Sequence, residues 1–550
     1  MENTENIIGL EQIELISPYD PVQLTDFRIS SKPNKHTRVF LSGIVAEAQK
    51  DSCIVKAGAR DRIEINLTNG GKKLRNLFKG VVTQISVKTV REIHYLEIEA
   101  LSLTYLLDLK LKERSFQNLR LSYNKLFKLI MADYPKASFE DRAIQDAKLQ
   151  GVIIQYHETD WSLLVRAASQ LGVVLTPEPT ADNPRFWIGV PEGTERQIEN
   201  THYSLRKNLA GYRNSSQNFT PSTAEINYTG YRVESNQVLD IGDRVQFQGI
   251  NLVVAEASGA VRQASLKYEY LLTRQEAIRQ DKAVNRRLSG VSLHGKVIDR
   301  RQDQVRLHLE IDRAQNKEEA YWFKLATSYT AEGNSGWYCQ PELGDRMRLY
   351  LGDCREESAI ALSALRQDGA TNQKTADPDV KYFGNTHTKE LHLDADELRF
   401  TARESPAKRM FIRLDAADGV EIESDQPIKV VSDGDIVWDA KTIAINANQG
   451  IFMVCNQSSL FVANKVDIKA GTVRIDGMEK GEESTGEVSA SQSGPKNDEV
   501  NQEQDGSQDP EQTEVSRDVV GAIPGQARVG NEAGSNVGFD VLGSIPRRVK

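Results

Sequence analysis

Over the first hundred residues, hydrophobic and polar positions alternate in short runs. The segments at 22–30, 38–48, 62–69, 78–90 and 93–102 are rich in β-branched residues. Polar turns separate them at intervals of about 8–12 residues, the spacing of an all-β domain. Asn69-Gly70-Gly71 lies between two of these runs and supplies the positive-φ residues of a tight hairpin. The period changes after Arg120. Leu126, Phe127, Ile130 and Met131 share one helical face with Ser122 as N-cap. A second helix is predicted from about Trp161 to Leu171, capped by Asp160 or Thr159 and ended by Gly172. The strands 151–157 and 173–177 flank it, so 119–200 reads as a small α/β insertion. Alternation then returns at 226–235, 244–258 and 262–274.

Five or six alternating strands fall within about 290–367, with turns at Gly333, Gly336 and Gly344. That is enough for a small closed barrel, in which closure removes exposed sheet edges. Trp322, Phe323, Trp337, Tyr338 and Tyr350 are predicted to fill its interior. Residues 387–476 follow another rule. Apolar positions recur at Ile422, Ile428/Val430, Ile436, Ile443/Ile445, Ile451/Met453, Leu460/Val462, Val466/Ile468 and Val473/Ile475, with Asp, Asn, Ser or Gly between them. Strands this short bury too little within one chain, whereas stacked repeats or three intertwined chains bury a continuous core. An ordinary β-sandwich is the plainer alternative. The stretch 479–518 carries 12 acidic and 3 basic residues and almost no aromatics, a disorder-prone composition. Residues 519–550 are rich in glycine yet retain Val519, Val520, Phe539, Val541 and Leu542, which predicts a docking peptide on a flexible tether.

The chain has 550 residues, length for about three to five domains. Its 69 basic and 78 acidic residues give a net charge of −9, and all of that excess lies in 479–518. The remainder is balanced, so no basic nucleic-acid stripe is present. No apolar run reaches the roughly 18 residues of a membrane helix. The N-terminal residues lack the basic-then-apolar pattern of a cleaved signal, so cytoplasmic assembly is expected. The cysteines at 53, 339, 354 and 455 form no CxxC pair, which argues against a disulfide scaffold or structural zinc.

Catalytic patterns are missing. The eight histidines are scattered, and His387 and His392 alone make no metal pair. No HExxH, GxSxG, Walker A loop or strand–GxGxxG–helix occurs. His157, Glu158 and Asp160 invite an acid–base reading, but they precede a helix, where acidic residues stabilise the first turn and face solvent. We therefore expect no enzyme, no catalytic or cofactor-binding residue, no metal and no cofactor.

Three stretches carry a family resemblance. RSFQNLRLSYNKLFKLIM (114–131) resembles an R-x-F-x-x-x-S segment leading into an insertion helix. QYHETDWSLLVRAASQLGVVL (155–175) is similar to a Q-x-x-E-S/T-D signature, with Gln155, Glu158, Asp160, Leu164, Arg166, Ala168 and Gly172 in register. Residues 290–362 resemble a barrel with a P-E-x-G-D turn and a following G-D, onto which Gly295, Val297, Pro341, Glu342, Gly344, Asp345, Gly352 and Asp353 fall. These are features of the VgrG and phage late control protein D family, the spike or hub proteins of contractile injection systems. Two departures stand out. Asp303-Gln304 replaces the usual Gly-Arg, and Cys354-Arg355-Glu356-Glu357 replaces the usual Arg-Pro; both read as turn and surface changes.

The resemblance implies a mainly β architecture in consecutive parts. These are hub β-barrel 1 (1–115), an α/β insertion (116–200), hub β-barrel 2 and linker (201–288) and an OB-like barrel (289–367). A connector (368–386), a repetitive β-prism or β-helix tip (387–478), an acidic linker (479–518) and a C-terminal docking peptide (519–550) follow. It implies a non-enzymatic homotrimer that adapts a hexameric inner tube to a membrane-piercing tip. Its expected partners are tube and baseplate proteins, a PAAR-like tip cap or effector cargo, and transiently a target membrane. Trimeric, tail-fibre-like carbohydrate binding is the alternative function. An OB-fold nucleic-acid module is a third class, one that lacks the basic face it needs.

Overall fold

Turn chemistry and strand alternation shape the hub. Gly70 and Gly71, with φ of 56° and 79°, form a two-residue turn that sets Asn69 opposite Lys72. The strands Arg62–Asn69 and Lys72–Val90 run antiparallel from it. The computed structural model describes residues 8–19, 21–198, 202–327, 329–330, 335–367, 371–405, 408–456 and 458–462. The predicted acidic linker, the docking peptide and the last repeats after 462 lie outside them. The chain divides into two units, Met1–Val430 and Val431–Lys550.

In the first unit the two predicted hub barrels are joined as one twelve-stranded sheet. Its main path runs Ile13–Ile16, Arg62–Asn69, Lys72–Val90, Ile93–Ser102, Lys35–Val45, Gln23–Lys32, Ile250–Arg262, Ser265–Thr273, Thr229–Ser235 and His202–Lys207. The seam pairs Ser31 with Ala257 and Ile29 with Gly259. An edge strand leaves a row of N–H and C=O groups unpaired. At the seam each segment satisfies the other's edge, which separate barrels would not do. One core serves both segments, with Phe27, Leu41, Phe78, Ile98, Val233 and Tyr270 inside it. A seven-residue helix, α1 (Lys50–Lys56), buries only Cys53 and has too little periodic face to announce itself in sequence.

The insertion carries two capped helices. The Ser122 hydroxyl accepts from the Lys125 amide to start α2 (Tyr123–Met131), and Thr159 accepts from Ser162 to start α3 (Asp160–Ser169). Each such cap is worth about 1 kcal/mol. Both helices pack on a three-stranded sheet in the order Leu175–Pro177, Arg185–Ile188, Ser138–Asp141. Leu126, Phe127 and Ile130 of α2 are fully buried, as are Leu163 and Leu164 of α3. Full burial of such a side chain contributes roughly 1.5–3 kcal/mol. A further helix, α4 (Leu209–Asn218), starts at Asn208, whose side chain accepts from Gly211.

A closed barrel follows, ordered Val291–Arg301, Gln304–Leu309, Trp322–Leu325, Ile360–Leu365 and Arg346–Leu351. Leu293, Val297, Val305, Leu307, Phe323 and Leu349 fill it, joined by Val152 and Ile154 from the insertion. Of the five aromatics predicted for this interior, only Phe323 is there. Trp337 and Tyr338 are 61% and 58% exposed, and Tyr350 is 37% exposed. Adjacent strand residues face opposite sides. Thus Trp322 points outward, covered by the Arg301 and Arg306 guanidiniums, each 4.3 Å from its ring.

The predicted repeats at 387–462 split in two. Lys381–Gly384, Glu390–Leu393, Glu397–Ser405, Lys408–Asp415 and Gly419–Ser424 form a five-stranded antiparallel sheet joined by consecutive turns. From 425 to 450 no residue is in a strand. In the second unit, Ile451–Cys455 and Ser458–Val462 form a hairpin. A single chain therefore does not build a prism or β-helix over the described residues. The strands run to nine residues, longer than the short repeats predict, yet the single sheet they form covers only one side of its apolar face.

Candidate assembly site

The signature residues at 155–166 converge in a buried polar network. The strand Ile153–Thr159 pairs with Leu111–Phe116, and a bulge sets Tyr156 and His157 against the single residue Glu113. His157 has a φ of 45° there. Residues three apart on a regular strand face opposite sides; the bulge turns both Gln155 and Glu158 inward. Asp160, the first residue of α3, is fully buried and its carboxylate is saturated. It accepts from Arg114 at 2.7 Å, Gln155 at 2.9 Å, Lys112 at 2.5 Å and Tyr134 at 2.7 Å. Burial and the adjacent Asp160 push the Tyr134 hydroxyl pKa up. Asp160 and Glu158 are thus buried ion-pair partners, where the sequence suggested solvated residues at a helix start.

Arg166, 5% exposed, extends this network into the barrel. Its Nε and Nη2 donate to the two oxygens of Glu158 at 2.9 and 2.8 Å, and Nη1 donates to Glu356 at 2.5 Å. Nη2 also donates to the Ile154 carbonyl at 3.0 Å. Burial alone would lower the Arg166 pKa, but the two glutamates more than offset it and the pKa is raised. Glu356 belongs to one of the two segments that depart from the family pattern, so that departure is a buried insertion–barrel contact as well as a turn. Nothing in its local sequence signals this, because its partner lies 190 residues away. A second link joins Ser115, whose amide and hydroxyl both donate to Asp312 at 2.5 Å. Burial raises the Asp312 pKa despite those bonds.

The barrel motifs build turns. The Glu342 amide donates to Asp345 at 2.8 Å, and Gly344 adopts φ of 95°, which glycine takes without strain. Arg300 donates to the Pro341 carbonyl and pairs with Glu342 at 2.8 Å. Asp353 accepts from the Arg355 amide and Ser358 hydroxyl, and with the Arg355 guanidinium beside it its pKa falls to about 2.

The sheet at 381–424 is amphipathic, and its register shows how. Phe383, Leu391, Phe400, Ile412 and Ile422 stand side by side across the five strands. Leu393, Leu398, Leu414 and Val420 form the next row of the same face. Phe400 is 49% exposed, Ile412 43%, Ile422 59% and Val420 72%. Phe383 and Phe400 of this face line a cleft of about 1380 Å3, and Trp337 meets Phe383 edge-on at 5.2 Å. Contiguous apolar exposure on this scale marks an interaction surface. Trp438, Val437, Ile436 and Phe452 of the second unit are likewise exposed.

The opposite face of the sheet is charged. Arg413 donates to Glu397 at 2.7 Å, also bonds Asp415, and lies 3.6 Å from Glu421. His392 lies between Glu397, at 3.1 Å from Nδ1, and Asp394, at 3.6 Å from Nε2. Sequence reading dismissed His392 as half of a histidine pair and missed these two carboxylates, which a hairpin brings to it. His392, Asp394 and Glu397 have the spacing of metal ligands. Arg413 already supplies the cation that neutralises Glu397, so the group is an ion-pair network as it stands.

No protein-family model matches the sequence, and no curated protein matches it. Solved structures match in fold. A chain of the Francisella PdpA–VgrG complex in its lidded form superposes with a TM-score of 0.51 at 7% identity, covering 75% of this chain and 80% of that one. The E. coli c3393 protein gives a TM-score of 0.47 at 13% identity over 64% of this chain and all of its own. Its description makes it a type VI secretion system component with structural similarity to T4 phage tail proteins. The 43 kDa tail protein of a Shewanella oneidensis prophage aligns at 12% identity and a TM-score of 0.36, over 50% of this chain and 99% of that one. The chain is thus similar in fold to a chain of a VgrG-containing complex.

Proposed function

We propose that the chain is the central spike subunit of a contractile injection-type assembly, structural in role and without an enzymatic activity of its own. One observation carries this reading: the two apolar rows across the 381–424 sheet, exposed in the single chain. Three copies placed apolar face inward bury those rows, and the unpaired stretch 425–450 becomes strand in the same event, as in an intertwined prism. The likeness in fold to a chain of the PdpA–VgrG complex supports the hub and the OB-like assignment of the barrel. In this reading the hub seats on a hexameric inner tube, baseplate proteins surround it, and the tip takes a PAAR-like cap or cargo before it reaches a target membrane.

Light scattering coupled to size exclusion on the intact chain tests this directly. A mass of three chains, or about 185 kDa, is expected, given 61.5 kDa per chain. A stable monomer at micromolar concentration sinks the proposal. Co-expression with the tube and baseplate proteins encoded beside it is the second arm, with a tube-bound trimer as the expected product.

A further inference from the structure

A cleft of about 410 Å3 opens in the hub where three chain segments meet: the turn at Lys32–Lys35, the end of the His202–Lys207 strand, and Ala277–Arg279. Each segment brings a cation to it, Lys35, Arg206 and Arg279 respectively. Among the described residues none of these three has an ion pair or hydrogen bond through its side chain. Lys32, on the same rim, differs in being neutralised by Glu256 at 3.3 Å.

The frame beneath the cations is built, and two of the three segments are tied to each other. Asn34, with φ of 63°, is held by Leu175, whose amide donates to the Asn34 side chain at 2.8 Å and whose carbonyl accepts the Asn34 amide at 2.6 Å. The Asn34 side-chain amide then donates to Gln280 at 2.9 Å, beside Arg279. Gln280 in turn donates to the Val165 carbonyl at 3.1 Å. The backbone positions that carry Lys35 and Arg279 are therefore tied to each other through Asn34 and Gln280. Tyr228 forms part of the wall, is 3% exposed, and has an enclosed hydroxyl with no partner among the described residues. A buried polar group without a partner calls for an explanation, such as a bound ligand or ion.

Like charges gathered at a concave surface focus a positive potential and attract counter-charge. Two guanidiniums and an ammonium suit a carboxylate or a phosphate, which arginine binds through paired N–H donors. We propose that this cleft is an anion site, in which Lys35, Arg206 and Arg279 hold a carboxylate- or phosphate-bearing ligand against Leu271 and Ile278. The ligand is a small free anion that carries one of these groups.

The test compares the full-length chain with its Lys35→Ser, Arg206→Ser, Arg279→Ser triple variant at low ionic strength. Because these side chains bond to nothing in the described chain, the variant should unfold at an unchanged temperature; the single Arg279→Ser variant is a milder control. Inorganic pyrophosphate is titrated calorimetrically into each. Binding that weakens roughly tenfold or more in the triple variant supports the site. A triple variant that binds pyrophosphate as tightly as the parent, or a parent that binds none, overturns the proposal, independently of whether the chain is trimeric.

Discussion

Around Arg166 the chain buries four ionisable groups, Arg166, Glu158, Glu356 and Asp160, and supplies each with its partners from its own residues. Across the 381–424 sheet it leaves phenylalanine, isoleucine and valine side chains half-exposed in rows. The first region is complete as a single chain, because an unpaired buried charge would be too costly to keep. The second is incomplete, because an apolar face gains nothing until something covers it. Their difference separates a region whose buried charges are matched within the chain from one whose apolar face the chain leaves uncovered.

The comparison breaks most sharply at Arg166. Arg166→Met removes the cation and leaves Glu158 and Glu356 buried together, so a loss of about 3–5 kcal/mol is expected in urea unfolding followed by tryptophan fluorescence. A loss under about 1 kcal/mol would show that water already shields these glutamates.

On the other side, Phe400→Asp with Ile412→Asp should leave the hub folded and prevent oligomer formation. Re-covering each such side chain is worth about 1–2 kcal/mol per chain at this partial exposure. Light scattering reads the mass, circular dichroism the fold; an unchanged mass would remove the apolar rows from the interface.

Acid provides a graded version of the same contrast. Burial alone would raise Asp108, but bonds from His36 and Thr159 hold its pKa below the ordinary carboxylate value, and Lys112 and Arg114 do the same for the half-exposed Asp133. A depressed carboxylate stabilises the fold above its unfolded pKa of about 4 and loses that contribution as pH falls through the folded value. Thermal midpoints should therefore hold from neutrality to about pH 4 and fall below it. The apolar rows, which carry no charge, should show no such dependence, so oligomer mass should outlast the first loss of hub stability.

Asp312 carries the smallest effect, and its sign is opposite. Its pKa is raised by burial, so the folded state favours the protonated form and the stabilisation fades as pH rises through the raised value. Asp312→Asn removes that charge and retains an acceptor for the Ser115 amide. A change within about 1 kcal/mol at pH 7, in the stabilising direction, is expected from denaturant midpoints. Marked destabilisation would mean that the charge-assisted bonds from Ser115 outweigh burial.

Local chemistry was legible from residues alone. The Asn69-Gly70-Gly71 turn, the Ser122 cap and the Thr159 cap each rest on interactions within a few positions of the chain and stand where the sequence puts them, whereas the second helix stops at Ser169, short of the expected Leu171. The signature around Gln155, Glu158, Asp160 and Arg166 was legible as a pattern but not as a network. Asp160 looks like any acidic residue before a helix until Lys112, Arg114 and Tyr134 close on it. Glu356 looked like a surface change for the same reason.

What the sequence determined by itself was thus the β-rich character, the capped helices and the tight turns, since these follow from period, propensity and backbone sterics over a few residues. Tertiary structure decided the rest. It joined two hub segments at the Ser31–Ala257 seam, turned Trp322 outward onto arginines, and used a bulge at His157 to bring two acidic side chains inward. It also set Phe400 beside Ile412 and Ile422 on one uncovered face. Those outcomes depend on which strand edge meets which and in what register. A one-residue slip reverses every side chain on a strand, and partners tens to hundreds of positions away fix that choice.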